Sequence, residues 1–250
     1  MHQNKGEKGN NMFEIFILNS YEEVSKKASE VVLEVLKKDQ VTLGLATGSS
    51  PVGMYQQLVD AYHKGQSFQH VTSVNLDEYV GINQDHPQSY YTFMFEHLFK
   101  HVDIMKENIH IPSGLGNSEN STNEYELFLQ AHPQDLQVLG IGSNGHIGFN
   151  EPGTAFDSTV HQIELKKETR LDNARFFSSL DEVPTHAITM GIQDIMRAQK
   201  IVLIATGQKK AQAIYDCVHA PLSVDIPCTI LQKHPHVVLI VDQEAGQLIK

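Results

Sequence analysis

The chain has 250 residues, of which 40% are hydrophobic and 20% charged, and its formal net charge is −11. This composition is typical of a globular protein with a sizeable core, and the negative charge argues against nucleic acid or an anionic membrane as a partner. No apolar run approaches the roughly 18 residues of a membrane span, and no signal peptide is visible. Cys217 and Cys228 lack metal or redox spacing and suit a reducing cytosol, so we expect a cytoplasmic protein.

The N-terminal part of the chain predicts a leader, a strand and a helix. Residues 1–11 are polar and glycine-rich, so we expect a disordered leader or tag before a single α/β domain over residues 12–250. A strand is predicted at Phe13–Leu18. A helix should follow it, because Ser20 can cap that helix and Glu23, three residues later, completes a capping box.

The next predicted strand, residues 41–46, runs into a loop of small residues and then into a helix. The loop is made of Thr47, Gly48, Ser49 and Ser50. Its hydroxyl and N–H groups lie at the positive end of the helix dipole, where a phosphate group can bind. The alternative is a helix start that is merely capped by a serine or threonine, without a ligand.

An acidic pair follows the third predicted strand, residues 71–76. The carboxyl end of a strand in an open α/β sheet faces the ligand crevice, so Asp77 or Glu78 could act as a base there. The alternative is a solvated acidic turn. Residues 86–91 are predicted to start another helix.

A glycine-rich loop follows the central predicted strand, residues 136–141. His146 and Glu151 lie in this loop, where glycines let the backbone approach a ligand, and the combination indicates acid–base chemistry. Glycines at 140, 142 and 145 match the dinucleotide fingerprint, but Pro152 and its neighbours oppose the helix that this motif requires. The alternative is an ordinary turn with a solvated His146.

Cationic side chains occur in two places in the last third of the chain. Arg170 and Arg175 follow a segment predicted to be extended, residues 159–165, and arginine suits bidentate recognition of phosphate. Either arginine could instead lie on a solvated helix face. Lys209 and Lys210 lie at a turn between a strand and a helix, where a lysine can meet an anion or remain simply exposed.

Strands are also predicted at residues 201–205, 228–231 and 237–241. The regular alternation of strands and helices predicts an α/β fold. We expect a mostly parallel central sheet with helices on both faces.

Four segments, taken together, resemble the glucosamine-6-phosphate deaminase family. They read LATGSSP at residues 45–51, NLDEYVG at 75–81, HPQSYY at 86–91 and GIGSNGHIGFNEP at 140–152. The resemblance runs from about residue 13 to the end of the chain, and it implies a modified Rossmann-like fold without a cofactor or metal. It also implies a sugar phosphate as the partner, since the family converts D-glucosamine 6-phosphate and water to D-fructose 6-phosphate and ammonia in amino sugar catabolism.

The resemblance assigns roles to individual residues. Asp77 matches the general base that moves a proton from C2 to C1 of the opened sugar. His146 matches the group that opens the pyranose ring, and Glu151 matches the partner that orients His146. The residues matching the phosphate-binding set are Thr47, Gly48, Ser49, Ser50, Arg175 and Lys210, with Lys209 competing for the place of Lys210.

The sequence departs from the family pattern in two places. Where many members have an aspartate two residues before the histidine, this chain has Asn144. Asn144 can form hydrogen bonds, and we place it among the catalytic residues. An amide shares no negative charge, however, so a relay from His146 to a carboxylate would depend on Glu151 alone. Residues 154–163 lack the basic side chains of the members regulated by N-acetylglucosamine 6-phosphate, and the chain stops at residue 250 without their C-terminal extension. We therefore expect a short, unregulated form, as a monomer in preference to a homo-oligomer.

Two other functions fit parts of this pattern. The nearest is 6-phosphogluconolactonase, a hydrolase of similar fold that abstracts no C2 proton. Residues 77–80 and 86–91 favour the deaminase over it. The other is a regulator that senses a sugar phosphate, which would need a nucleic-acid-binding module that residues 1–11 are too short to supply.

Overall fold

A seven-stranded sheet forms the centre of the fold in the computed structural model, which describes residues 13–174 and 177–250. The predicted leader, residues 1–11, lies outside these ranges. In their order across the sheet, the strands are β1 (Phe13–Leu18), β10 (Val237–Asp242), β9 (Ile201–Ala205), β6 (Leu136–Leu139), β2 (Val41–Leu45), β3 (Val71–Asn75) and β5 (Ile109–His110). Every pairing within this sheet is parallel, which confirms the predicted mostly parallel α/β fold.

The central strands are nearly continuous apolar runs, as expected where both faces of a parallel sheet are covered. All of β9 is buried, and so is β10 up to its last residue.

The helices of the described chain are α1 (Tyr21–Val35), α2 (Val52–His63), α3 (Tyr90–His97), α4 (Ser118–Ala131), α5 (Lys167–Asn173), α6 (Ile192–Met196) and α7 (Ala211–His219). The predicted cap of α1 is present, since the Ser20 hydroxyl accepts a hydrogen bond from the Glu23 N–H at 3.2 Å. None of these helices is both long and apolar enough to cross a membrane.

A second, smaller sheet lies beside the first and was not predicted. Its strands are antiparallel, in the order β4 (Asp77–Tyr79), β8 (His186–Thr189) and β7 (His161–Glu164). Leu76 joins the two sheets, because its N–H donates to the Leu45 carbonyl at 3.0 Å and its carbonyl accepts from the Met190 N–H at 2.7 Å. Asp77 therefore lies where the chain passes from one sheet to the other.

The strand predicted at residues 228–231 is wrong. Pro227–Lys233 forms a 3₁₀ helix instead. Pro227 has no N–H to give to a sheet, and the Thr229 hydroxyl bonds the Ile226 carbonyl at 2.7 Å within the turn. A short apolar run fits a buried helix as well as a buried strand, so periodicity alone could not separate them.

Candidate active site

A cavity of about 220 Å³ opens beyond the carboxyl ends of β2 and β6, the part of a parallel sheet where ligands bind in α/β folds. Segments far apart in the sequence meet around it. The lining includes residues 46–50, residues 140–143, Asp77, Tyr90, His146, Thr169 and Lys210. The fold thus brings the predicted base, the predicted acid and most of the predicted phosphate set to one place.

Asp77 is a buried carboxylate that faces this cavity, with only 6% of its surface exposed. Burial, and secondly the charge of Glu78, raise the pKa of Asp77 to about 8. Within the described chain no group donates a hydrogen bond to its side chain. A carboxylate that is desolvated and unpaired takes up a proton readily once ionised, as a general base should.

Glu78, the other acidic candidate, has a structural task. Its carboxylate accepts hydrogen bonds from the backbone N–H groups of Tyr79 at 2.8 Å, Tyr90 at 3.0 Å and Tyr91 at 3.0 Å. Two of these donors open α3, where N–H groups lack partners within the helix. Burial still raises the pKa of Glu78 against the effect of these three bonds. Since both carboxylates are buried, a solvated acidic turn does not describe this pair, and Asp77 is the one at the cavity.

His146 is oriented through Asn144. The Nδ1 atom of His146 lies 2.7 Å from the Asn144 Oδ1, and the Asn144 Nδ2 donates to Oε2 of Glu151 at 2.9 Å. The direct distance from His146 Nδ1 to Glu151 Oε2 is longer, at 3.7 Å. Because the Glu151 carboxylate fixes the Asn144 amide with its oxygen toward the ring, Nδ1 must carry the proton, and Nε2 is the nitrogen that exchanges a proton with substrate.

Asn144, which we place among the catalytic residues, is therefore an intermediate link between His146 and the Glu151 carboxylate. Glu151 is buried behind it and holds the amide in place. Such a chain keeps the ring in one tautomer and one orientation, which is the part that a third group plays in other catalytic triads.

Thr169 extends this chain and was missed by sequence reasoning. It lies on α5, is buried, and donates its hydroxyl hydrogen bond to the Oε1 atom of Glu151. No local pattern could have found it, because 18 positions separate it from Glu151. Both carboxylate oxygens of Glu151 are thus engaged, one by Thr169 and one by Asn144.

Gly148 lets the histidine loop approach the base. Its φ is +58°, and a Cβ atom added there would lie 3.1 Å from the Thr189 Oγ1 and 3.7 Å from Oδ2 of Asp77. A side chain would be strained by this backbone conformation and would press on the Thr189 hydroxyl, beside the base. The glycine-rich loop is therefore shaped for close contact with Asp77, which an ordinary solvated turn does not require.

The small-residue loop after β2 also lines the cavity with all four predicted positions, Thr47, Gly48, Ser49 and Ser50. Pro51 precedes α2 at the capping position, and its side chain makes no capping hydrogen bond to the helix. The start of α2 is therefore not capped by a serine or threonine, which was the alternative. The hydroxyl groups of the loop remain available to a ligand.

The predicted cations separate into different places. Lys210 lines the cavity, whereas Lys209 is exposed and is not part of the lining. Arg170 donates hydrogen bonds to the carbonyl groups of Leu180 at 2.9 Å and Val183 at 3.1 Å, so it connects α5 to residues 180–183. Arg175 lies outside the described residues. In the described part of the chain, no group of three or more histidine, cysteine or acidic side chains is placed to hold a metal ion.

The variant Asn144→Asp is expected to raise the pKa of the His146 imidazole above that of the wild type. A carboxylate that accepts from Nδ1–H stabilises the charged ring more than an amide does. An NMR titration of the ring nitrogens would measure the shift, and His146→Gln would identify the signal among the 14 histidines. Equal titration midpoints in the two proteins would contradict the role given to Asn144.

Comparisons of sequence and of structure with known proteins point to relatives of the same kind. The family described as "Glucosamine-6-phosphate isomerases/6-phosphogluconolactonase" matches residues 19–240. The glucosamine-6-phosphate deaminase of Thermoanaerobacter pseudethanolicus is 48% identical over 239 residues, which cover 94% of each chain. The solved structure of a monomeric glucosamine-6-phosphate deaminase superposes with a TM-score of 0.92 at 40% identity, covering 94% of this chain and 99% of its own. A 6-phosphogluconolactonase from Leishmania guyanensis shares the fold, with a TM-score of 0.76 at 18% identity, covering 94% of this chain and 98% of its own.

Proposed function

The chain belongs to the family of glucosamine-6-phosphate isomerases and 6-phosphogluconolactonases, and from this premise we propose that it converts D-glucosamine 6-phosphate and water to D-fructose 6-phosphate and ammonia. The observation that carries the proposal is that a buried Asp77, which accepts no hydrogen bond from the described residues, lies on one cavity with an oriented His146. The reaction needs a base and an acid at neighbouring substrate atoms, and these two side chains supply them.

The substrate phosphate is bound by the loop that precedes α2. The hydroxyl groups of Ser49 and Ser50, with Thr47 and Gly48 beside them, present donors at the positive end of the helix. Lys210 supplies a positive charge at the same cavity. This local positive charge attracts a dianion, although the net charge of the chain is −11.

The chemistry begins with ring opening at His146. Its Nε2–H protonates the ring oxygen as the C1–O5 bond breaks. The Nε2 atom then accepts the proton that the O1 hydroxyl loses as C1 becomes an aldehyde. Histidine suits this task because its ordinary pKa lies near neutrality. The hydrogen bonds through Asn144 keep Nε2 directed at the substrate throughout.

The isomerisation then belongs to Asp77. Its carboxylate removes the proton from C2 while O1 takes up a proton from the protonated His146, giving an enolamine, and it then returns the C2 proton to C1. The C1 aldehyde is thereby reduced to an alcohol and C2 is oxidised to an imine, so no external oxidant is needed. Water adds to the imine carbon, the C–N bond breaks, and D-fructose 6-phosphate and ammonia are released.

The alternative reaction is the hydrolysis of a 6-phosphogluconolactone. Its substrate carries a phosphate group as well, but the reaction needs no base at C2. Six 6-phosphogluconolactonases of known structure that resemble this chain are 15–19% identical to it, a level that concerns the fold alone. A buried carboxylate with a raised pKa, such as Asp77, favours proton abstraction, and so the deaminase.

The setting of this activity follows from the same relatives and from composition. The solved deaminase structure that is 40% identical to this chain is that of a monomer, which supports a monomeric enzyme here. Both cysteines are free and buried, which supports action in the cytoplasm. The proposed substrate is a phosphorylated amino sugar, which supports a role in the catabolism of N-acetylglucosamine and other amino sugars.

The proposal is tested by incubating the purified protein with D-glucosamine 6-phosphate, without added metal, and measuring ammonia and D-fructose 6-phosphate together. Equal yields of the two products are expected, and much slower turnover of D-glucosamine, which lacks the phosphate. Hydrolysis of 6-phosphogluconolactone without ammonia release would replace the proposal by the lactonase. Binding of the sugar phosphate without any turnover would favour a sensor.

A further inference from the structure

Tyr21 connects the phosphate-binding loop, residues 47–50, to the helix that follows it. Its hydroxyl donates a hydrogen bond to the Ser49 carbonyl at 2.9 Å and accepts one from the Gly53 N–H at 2.8 Å. Gly53 lies in the first turn of α2, where an N–H group has no partner within the helix. One side chain therefore holds the loop on one side of Pro51 and the helix on the other.

The bond to Ser49 fixes the direction of a whole peptide group. The peptide between Ser49 and Ser50 is planar and trans, so its carbonyl and its N–H point in opposite directions. With the carbonyl held against Tyr21, which does not line the cavity, the N–H of Ser50 is turned to the other side of the loop. Residues 47–50 line the cavity on that side, so a backbone donor is held ready for an anion there.

The surroundings hold Tyr21 firmly in this position. It is the first residue of α1, directly after the Ser20 cap. The helices α1 and α2 touch closely at this point, since a Cβ atom added to Gly53 would lie 2.2 Å from the Ser25 Oγ and 2.9 Å from Cε1 of Tyr21. The absence of a side chain at Gly53 thus allows the tyrosine ring to reach the loop.

We propose that Tyr21 is a positioning residue of the active site, which orients the phosphate-binding loop through its two hydrogen bonds and so determines how tightly the substrate phosphate is held. The inference rests on the proposed function, because it takes the loop to be the phosphate site. Tyr21 touches no reacting atom, so its effect concerns the affinity for phosphate and leaves the chemical steps at Asp77 and His146 unchanged.

Tyr21→Phe tests the inference, because it keeps the ring and removes both hydrogen bonds. The dissociation constant of inorganic phosphate, measured by calorimetry, should rise about tenfold, and the KM for D-glucosamine 6-phosphate should rise by a similar factor. The kcat should stay within about twofold of the wild type, since the groups that react are untouched.

Ser25→Ala is the matched control. Ser25 lies on the same helix and against the same glycine, but its hydroxyl has no hydrogen-bond partner within the described residues. The affinity of the Ser25→Ala variant for phosphate should equal that of the wild type. An equal loss in both variants would show a general loosening of the two helices, and unchanged phosphate affinity in an active, folded Tyr21→Phe would equally reject the inference. Failure of the wild type to release ammonia would instead reject the proposed function, independently of either variant.

Discussion

Asp77→Asn is expected to lower the rate of ammonia release by about 10³-fold, because general base catalysis commonly contributes 10²–10⁴-fold. In the wild type, the ascending limb of kcat/KM against pH should have its inflection near pH 8, since the base must lose its proton and its pKa is about 8 in the free enzyme. An inflection near pH 4 would contradict the position of Asp77 in a dry site.

The same variant should become more stable than the wild type as the pH rises. The pKa of Asp77 in the folded protein lies above its ordinary value of 3.8, so the folded state holds the proton more strongly than the unfolded state. Ionisation of Asp77 therefore costs no stability below about pH 4, costs progressively more up to pH 8, and reaches its full cost above that. The full cost is on the order of 5 kcal/mol, since one pKa unit corresponds to about 1.4 kcal/mol.

Urea denaturation of both proteins at pH 5, 7 and 9 would measure this effect. The difference in free energy of unfolding between variant and wild type should grow in favour of the variant along the series. Asp39→Asn, at an exposed carboxylate, is the control and should follow the wild type at each pH. A constant difference between Asp77→Asn and wild type from pH 5 to 9 would exclude the raised pKa.

Gly142→Ala is expected to reduce activity about 10²-fold while the fold is kept. A Cβ atom at position 142 would lie 2.2 Å from Cε1, 2.3 Å from Nδ1 and 2.6 Å from Nε2 of the His146 ring. The ring must move, and it would lose its 2.7 Å contact with Asn144. A shift of about 1 Å in a catalytic group can cost 10²-fold.

The comparison for this variant is Gly140→Ala, in the same loop. There the nearest atom to an added Cβ is the Ser50 Oγ, at 4.0 Å, so a much smaller loss is expected. Steady-state assays with thermal melts on both variants would separate lost activity from lost folding. Near wild-type activity of Gly142→Ala would mean that the packing of the His146 ring against residue 142 has no part in catalysis.

The large sheet could be predicted because its strands carry their own signal. Runs such as β9 and β10 are apolar, bounded by turns, and buried on both faces. The small sheet could not be predicted, because β4 has only three residues, of which two are acidic, and the partner β8 lies more than 100 positions away. Its strands depend on pairing between distant segments, which no local pattern expresses.

The site divides in the same way. Asp77, His146 and the loop at residues 47–50 could be found because each follows a predicted strand, and carboxyl ends of parallel strands meet at one edge. The link through Asn144 to Thr169, and the contact of Tyr21 with Ser49, consist of single hydrogen bonds between side chains and distant partners. Such bonds depend on the packed structure, and the residue types involved are common on any surface.

The junction at Leu76 has a consequence for how this family can diversify. The residues proposed to hold the phosphate follow β2 of the large sheet, whereas Asp77 begins β4 of the small one. Because Leu76 alone connects the two along this segment, substitutions in the small sheet can displace or replace the group that reacts while the anchor for the phosphate stays where it is. A modular arrangement of this kind gives a physical reason why one ancestral scaffold could yield both isomerases and lactonases that act on phosphorylated sugars.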